Sequence, residues 1–123
     1  MKKLDINIFG STGTIGIKTL NLIENNFKNI NINLLVANSN YNLLIKQIKK
    51  YKPKFVFLNN KKYTYKLFRH INKKKIIYEY SDLIKYLLKS KSEYTILSIS
   101  GYKSLYYLES IIYNTKNLGI VNK

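Results

Sequence analysis

The chain has 123 residues and a formal net charge of +16, from 22 Lys+Arg against 6 Asp+Glu. We expect one domain over residues 1–123, because two halves would each bury too little apolar surface, and the 46% hydrophobic content is typical of globular proteins. Cys is absent and His70 is the only histidine, which excludes disulfides, iron–sulfur clusters, a thiol nucleophile and His-rich metal cages. No apolar run approaches the roughly 20 residues of a membrane-spanning helix. Residues 1–10 lack the features of a targeting peptide, so a cytoplasmic location is expected.

Strand-like and helix-like segments alternate along the chain. Residues 4–9 alternate in polarity and predict a strand, and the spacing of apolar side chains in residues 14–26 predicts a helix. The further predicted elements are a strand at 30–37, a helix around 43–48 that Pro53 ends, a strand at 55–58, a short helix at 61–70, a minor strand at 76–78, a helix at 81–88 with Ser81 as its N-cap, a strand at 95–99, a helix at 104–113 and a strand at 118–121. This order predicts an α/β fold, a Rossmann-like, doubly wound, mostly parallel sheet with helices on both faces.

The aromatic residues are 12 Tyr and 5 Phe. Periodicity places Phe55, Phe57, Tyr94 and Tyr106 on core-facing positions. No run of aromatic residues matches an RNA-reading signature.

The positive charge has two interpretations. Lys supplies nearly all of it, Arg69 being the only arginine, and Lys, Asn, Ile, Tyr and Phe are the residues that AT-rich codons encode. Sites that read phosphate usually retain Arg for its bidentate guanidinium, so we attribute the charge mainly to codon composition. The alternative is a basic nucleic-acid-binding module on a Rossmann-like fold, since a high positive charge attracts polyanions at low salt.

Three of the five glycines fall between the first predicted strand and the first predicted helix, in Gly10-Ser11-Thr12-Gly13-Thr14-Ile15-Gly16. A strand, a glycine-rich turn and a helix N-terminus together are typical of a dinucleotide site. We expect Gly10 to allow the sharp turn, Gly13 to leave room for a pyrophosphate, and Gly16 to bring the helix close to the sheet. The helix N-terminus would then offer free N–H groups to the phosphates.

The residues after the second predicted strand bear on the type of dinucleotide. An NAD site normally has an acid there to hold the ribose 2′-OH, but no acid lies between Lys28 and Glu79. The strand is followed instead by Asn38, Ser39 and Asn40, which can hydrogen-bond a 2′-phosphate, so NADP is favoured. The alternative interpretation of these three residues is ordinary turn chemistry.

Four blocks of sequence carry a resemblance to a known family. They are Ile8-Phe9-Gly10-Ser11-Thr12-Gly13-Thr14-Ile15-Gly16, Leu35-Val36-Ala37-Asn38-Ser39-Asn40, Tyr51-Lys52-Pro53-Lys54-Phe55-Val56 and Val121-Asn122-Lys123. Their order and spacing resemble the N-terminal domain of 1-deoxy-D-xylulose 5-phosphate reductoisomerase. The resemblance implies an NADPH-dependent homodimeric enzyme that rearranges and reduces 1-deoxy-D-xylulose 5-phosphate to 2-C-methyl-D-erythritol 4-phosphate, in non-mevalonate isoprenoid biosynthesis, with Mg²⁺ or Mn²⁺.

The resemblance also implies roles for individual residues. The pyrophosphate of NADPH would lie on Gly10, Ser11, Thr12, Gly13, Thr14 and Ile15. Asn38, Ser39 and Asn40 would lie by the adenosine ribose, Asn122 would contact the cofactor, and Lys123 would contact the substrate. A different short NADP-binding domain is a further alternative. The evidence against it is that Asn122 and Lys123 occur at the distance along the sequence that the family pattern requires.

The family pattern continues past Lys123 with acidic metal ligands, a lid and a helical domain. The resemblance therefore implies a domain incomplete at its C-terminus, with no metal-ligating residue and no catalytic residue of its own. We expect the isolated chain to be inactive for that reason.

Overall fold

The computed structural model of the chain describes residues 3–99 and 104–121. Its strands are β1 (Leu4–Phe9), β2 (Ile30–Ala37), β3 (Phe55–Leu58), β4 (Ile76–Ile77), β5 (Ser92–Leu97) and β6 (Thr115–Ile120). Its α-helices are α1 (Thr14–Asn26), α2 (Tyr41–Tyr51), α3 (Tyr80–Lys89) and α4 (Leu105–Asn114), with short 3₁₀ helices at Lys61–Leu67 and Lys73–Lys75.

The described strands form one sheet in the order β4-β3-β2-β1-β5-β6. Every neighbouring pair is parallel, so the predicted mostly parallel sheet is entirely parallel in this part of the chain. The chain moves outwards from β1 through β2, β3 and β4, and then returns to the other side of β1 with β5 and β6. The order of strands therefore reverses between β1 and β5, which is where open α/β sheets bind their ligands.

Two apolar layers cover the two faces of the sheet, as the prediction of helices on both faces requires. On one face, Leu20 of α1 and Leu44 of α2 are fully buried against the strands. On the other face, Leu83 and Leu87 of α3 pack with Ile111 of α4. Burial of each such side chain stabilises the fold by about 1.5–3 kcal/mol, so neither helix layer is dispensable.

The second half of the chain differs from its predicted boundaries. β5 begins at Ser92 rather than at residue 95, and β6 begins at Thr115 rather than at residue 118. α3 begins at Tyr80 after Glu79, so the prediction of Ser81 as N-cap is wrong. The predicted helix at 61–70 is a 3₁₀ helix that ends at Leu67.

Two aromatic residues also depart from the prediction. Tyr94 and Tyr106 are 43% and 61% exposed, so neither is a core residue. Phe57 is buried as expected, and Phe55 is half-buried against the ring of Tyr86. The buried side chains described in α4 include those of Tyr107 and Ile111, and the helical turn from residue 106 to 107 leaves Tyr106 off this buried face.

A buried polar network ties the α3 and α4 layer to the amino ends of the strands. Asn7 of β1, which is fully buried, donates to Asn114 Oδ1 at 3.0 Å and to Ser92 Oγ at 3.1 Å. Asn33 of β2 donates to Asn7 Oδ1 at 2.9 Å and to the Tyr86 hydroxyl at 2.7 Å. These bonds satisfy polar groups that would otherwise be costly to bury, and they link three strands to two helices.

Candidate functional site

The turn after β1 is held to the end of β2 by backbone hydrogen bonds. The N–H groups of Gly10 and Ser11 both donate to the carbonyl of Val36, at 2.8 Å and 3.1 Å. Gly10 has φ +91°, and a Cβ there would lie 2.9 Å from the carbonyl carbon of Ser98. This position therefore requires glycine, both for its backbone conformation and for the close approach of the segment after β5.

The three glycines of the turn differ in what surrounds them. A Cβ on Gly16 would lie 2.7 Å from the Cα of Ser11, so this glycine brings α1 into contact with the turn. A Cβ on Gly13 would meet only the carbonyl oxygen of Gly10, at 3.5 Å, which is an ordinary contact. The fold itself therefore needs Gly10 and Gly16, whereas Gly13 leaves open space that a ligand can enter.

The N-terminus of α1 opens onto the same space. Gly13 is the N-cap residue, no side chain among the described residues caps this end, and the first helical bond runs from Ile17 N–H to Gly13 O at 2.9 Å. The N–H groups of Thr14, Ile15 and Gly16 consequently have no acceptor within the helix. An anion at this position would receive both these hydrogen bonds and the positive end of the helix dipole.

A cavity of about 580 Å³ lies beside the turn, at the carboxyl ends of β1, β2, β3 and β5. Its described lining residues come from the turn, from those strand ends and from the first residues of α3 and α4: Gly10, Thr12, Gly13, Val36, Ala37, Asn38, Asn40, Asn59, Tyr80, Ser98, Ile99, Tyr106 and Tyr107. In a chain of net charge +16, none of these lining residues is a lysine, arginine, histidine, aspartate or glutamate. The described part of the cavity wall is therefore neutral, with carboxamide, hydroxyl and aromatic groups.

The cavity brings together five of the residues that the sequence predicted for cofactor binding. These are Gly10, Thr12, Gly13, Asn38 and Asn40.

Four other predicted residues lie apart from its lining. Ser11 is fully buried and its carbonyl accepts a hydrogen bond from Gln47 Nε2 at 2.8 Å, which fixes the turn to α2. Thr14 and Ile15 lie in the first turn of α1, and Ser39 Oγ accepts a hydrogen bond from Asn60 Nδ2 at 3.4 Å. Asn122 and Lys123 lie outside the described residues.

The asparagines after β2 have structural roles as well as positions at the cavity. Asn40 caps α2, its Oδ1 accepting from Leu43 N–H at 3.1 Å. Asn38 Oδ1 accepts from Asn59 Nδ2 at 3.0 Å, which joins the ends of β2 and β3. These asparagines therefore have the structural role of turn residues and also line the cavity.

The sequence prediction missed three tyrosines of the cavity, Tyr80, Tyr106 and Tyr107. Tyr107 is buried with its ring centroid 5.1 Å from that of Phe9, and burial, followed by the charge of Tyr80, raises its pKa to about 12. Burial also raises the pKa of Tyr80, so both hydroxyls are neutral at physiological pH. Their position at the start of helices that follow strands is a signal that could have identified them, because such turns lie at the carboxyl edge of a parallel sheet.

The described residues do not offer a metal site. No three His, Asp or Glu side chains among them come together in a way that could hold a metal ion. Within the same part of the chain, none of the helices has the length and apolar character needed to cross a membrane.

Comparison with known proteins agrees with the resemblance seen in the sequence. The family model described as 1-deoxy-D-xylulose 5-phosphate reductoisomerase matches residues 6–123. The reductoisomerase of Pelagibacter ubique is 39% identical over 127 residues, covering 100% of this chain and 32% of that protein. That of Wigglesworthia glossinidia brevipalpis is 34% identical, with the same shares covered. The chain thus spans about a third of the length of the curated relatives it matches.

Solved structures show the same fold. A reductoisomerase from Zymomonas mobilis in complex with NADPH superimposes with a TM-score of 0.84 at 22% identity, over 98% of this chain and 32% of that one. A reductoisomerase in complex with NADPH, fosmidomycin and magnesium gives a TM-score of 0.79 at 18% identity, over 93% of this chain and 29% of that one. With the family model covering nearly the whole sequence, the chain belongs to the 1-deoxy-D-xylulose 5-phosphate reductoisomerase family.

Proposed function

We propose that this chain is the NADPH-binding part of a 1-deoxy-D-xylulose 5-phosphate reductoisomerase. The observation that carries the proposal is the open space at Gly13, which joins the uncapped N-terminus of α1 to a cavity at the switch point of the sheet. Two of the structural neighbours are described as complexes with NADPH, which supports the same cofactor here.

The residues present fit the cofactor from the pyrophosphate to the adenosine ribose. The N–H groups at the start of α1 would donate to the pyrophosphate, and Thr12 lines the cavity next to Gly13. Asn38 and Asn40 line the cavity at the end of β2, where a dinucleotide fold holds the adenosine ribose. Bound there, NADPH would supply the hydride for reduction, and the residues of this chain would bind and orient the cofactor.

The remaining assignments follow from family membership. We propose that Asn122 contacts the cofactor and that Lys123 contacts the phosphorylated sugar, 1-deoxy-D-xylulose 5-phosphate. The product would be 2-C-methyl-D-erythritol 4-phosphate, with Mg²⁺ or Mn²⁺ assisting and a homodimer as the assembled enzyme. The described residues contain no cluster of three His, Asp or Glu side chains that could hold such a metal. The cytoplasmic location stays a prediction.

A side-by-side titration of NADPH and NADH into the purified chain tests the proposal. We expect saturable binding of NADPH, weaker binding of NADH, and loss of both in Gly13→Val, whose added carbons would occupy the space next to the pyrophosphate. Gly119→Ala is the matched control, because Gly119 lies on β6, away from the cavity, and an added Cβ meets only the flexible end of Ile96. Equal NADPH affinity in the wild type and in a folded Gly13→Val chain would refute the site.

A second candidate function, binding of a nucleic-acid backbone, is favoured by a groove at the opposite edge of the sheet. The groove has a volume of about 630 Å³ and lies at the amino ends of the strands, and five of its described lining residues are lysines: Lys3, Lys50, Lys52, Lys54 and Lys75. Two acids share the groove, and one of them, Glu24, pairs with Lys50 at 3.0 Å. Binding of RNA or DNA that weakens steeply with salt, in a chain that binds neither NADPH nor NADH, would favour this function.

A further inference from the structure

Tyr80 is an exposed aromatic ring held in place at the mouth of the cavity. Its hydroxyl donates a hydrogen bond to the backbone carbonyl of Tyr106, so the first residue of α3 is fixed to the first turn of α4. Its ring centroid lies 5.8 Å from that of Tyr107, which in turn packs on Phe9 at 5.1 Å. Although it is anchored at its hydroxyl and backed by a second ring, Tyr80 remains 41% exposed.

The position of Tyr80 in the cavity can be compared with the expected position of the adenosine half of a bound dinucleotide. With the pyrophosphate on the N-terminus of α1, the adenosine ribose lies at the end of β2, beside Asn38. The adenine ring is attached to this ribose, so we place it in the same cavity, close to the ends of β2 and β3. Asn59 at the end of β3 and Tyr80 at the start of α3 both line this cavity.

The chemistry of the lining indicates how a base would be held there. The described lining residues include no ionised side chain that could pair with a charge on the ligand. A flat, uncharged, conjugated ring such as adenine gains most from contact with the face of another aromatic ring. Because Tyr80 is already fixed through its hydroxyl, little side-chain entropy is lost when a ligand stacks on it.

We propose that Tyr80, anchored to the Tyr106 carbonyl and backed by Tyr107, is the stacking surface for the adenine ring of the cofactor. This proposal rests on the proposed function, since it assigns the adenosine half of the same site. It makes Tyr80 a binding residue that acts on the adenosine end of the ligand and has no contact with the nicotinamide.

Partial ligands separate the two halves of the site. The wild-type chain, Tyr80→Ala, Tyr80→Phe and Tyr113→Ala are titrated with NADPH, with adenosine 2′,5′-bisphosphate, which lacks the nicotinamide half, and with reduced nicotinamide mononucleotide, which lacks the adenosine half. Tyr113 is the matched control, because it is an exposed tyrosine at the other end of α4 and does not line the cavity. Thermal unfolding of each variant shows that it is folded.

We expect Tyr80→Ala to weaken NADPH and the bisphosphate by the same factor, about 10- to 100-fold, and to leave the mononucleotide unchanged. Tyr80→Phe keeps the ring but loses its anchor, so it should lose only a small part of this affinity, and Tyr113→Ala should lose none.

Three results would overturn the proposal. If Tyr80→Ala binds NADPH as the wild type does, adenine does not stack on this ring, while the cofactor site itself stands. If Tyr80→Phe loses as much affinity as Tyr80→Ala, the hydroxyl rather than the ring face holds the ligand. If the wild type binds neither NADPH nor the bisphosphate, the proposed function fails together with this inference.

Discussion

Gly16 and Gly13 are three residues apart in one turn, yet an added methyl group should lower stability much more at Gly16 than at Gly13. We expect Gly16→Ala to lower the free energy of unfolding by about 3 kcal/mol or more, because its Cβ would lie 2.7 Å from the Cα of Ser11 and only backbone could move away. Gly13→Ala should unfold at nearly the wild-type denaturant concentration, since its Cβ has room. Urea unfolding followed by circular dichroism measures both, and similar losses in the two variants would contradict the distinction.

The raised pKa of Tyr107 predicts how the free energy of unfolding changes at alkaline pH. Burial raises its pKa from 10.0 to about 12, so between these values the unfolded chain loses a proton that the folded chain keeps. The contribution of this neutral hydroxyl is therefore fully present below pH 10 and is lost as the pH rises towards 12. In Tyr107→Phe we expect a smaller fall in the free energy of unfolding across that window.

Urea midpoints measured from pH 9 upwards test this prediction, with Tyr113→Phe as the control. Tyr113 is exposed on the outer side of α4, so this variant should follow the wild type. Parallel curves for Tyr107→Phe and the wild type would show that Tyr107 does not set the alkaline limit.

The residues of the site were predictable to different degrees. The three glycines carry a signal that is specific in both spacing and context. Gly10 and Gly16 have the geometric roles expected of them, and Gly13 leaves open space, while the pyrophosphate expected there stays a prediction. Asn38 and Asn40 were placed correctly at the end of β2, but the sequence could not show that their side chains also cap a helix and join two strands. Tyr106 was misjudged by one position, because it is the neighbouring Tyr107 that lies on the buried face of α4 and packs on Phe9.

At the level of elements, the buried asparagine network should be a major source of stability. Asn7→Leu keeps the approximate volume but removes the partner of Asn33 Nδ2, Ser92 Oγ and Asn114 Oδ1. We expect it to lower the free energy of unfolding by about 2–4 kcal/mol, because three buried hydrogen bonds are lost, although Asn33 keeps its bond to the Tyr86 hydroxyl and Ser92 keeps its bond to Asn114.

The matched control for this prediction is Asn26→Ala. Asn26 lies at the exposed end of α1, where its side chain donates to the carbonyl of Leu22 at 3.0 Å, so its loss should change stability by about 0.5 kcal/mol or less. Urea unfolding of both variants is the measurement. Equal effects of Asn7→Leu and Asn26→Ala would show that the network adds nothing beyond ordinary surface bonds.

The elements differ in how well the sequence predicted their bounds. β1, α1, β2 and β3 match their predicted bounds, because apolar patterning there is flanked by glycine, asparagine or proline. β5 was placed too late, since its first residues include Ser92, a polar residue that is buried only because the network satisfies it. The first four residues of β5, Ser92-Glu93-Tyr94-Thr95, contain no aliphatic residue, so the apolar pattern that identifies strands in sequence starts only after them.

For the whole molecule, the edge of the sheet at β6 predicts self-association of the 123-residue chain. β6 pairs with β5 on one side only in the described sheet, and Ile120 is 56% exposed. An exposed apolar edge strand pairs readily with another chain, so we expect dimers or larger species whose amount rises with concentration. Ile120→Lys should shift the chain towards monomer, as measured by sedimentation or sizing with light scattering. A monomeric wild type at high concentration would contradict this expectation.

The chain should also bind its cofactor without consuming it. No cluster of metal-ligating side chains lies among the described residues, so nothing in this part of the chain can hold the metal ion that the family reaction is expected to use. Mixed with NADPH, Mg²⁺ and 1-deoxy-D-xylulose 5-phosphate, the purified chain should give no loss of the absorbance of reduced nicotinamide. Loss of that absorbance which depends on the sugar phosphate would contradict the prediction.

Gly10 and Gly16 are required by the fold and Gly13 is not, and this difference can be compared with the codon composition of the chain. All glycine codons begin with two guanines, so a sequence rich in AT-encoded residues loses glycine wherever another residue can serve. At the N-cap of α1, asparagine would serve, being common in this chain and a better helix cap than glycine. A Cβ at Gly13 would make only one ordinary contact, so the fold alone does not require glycine there, and we expect this glycine to serve the ligand whose space it leaves free.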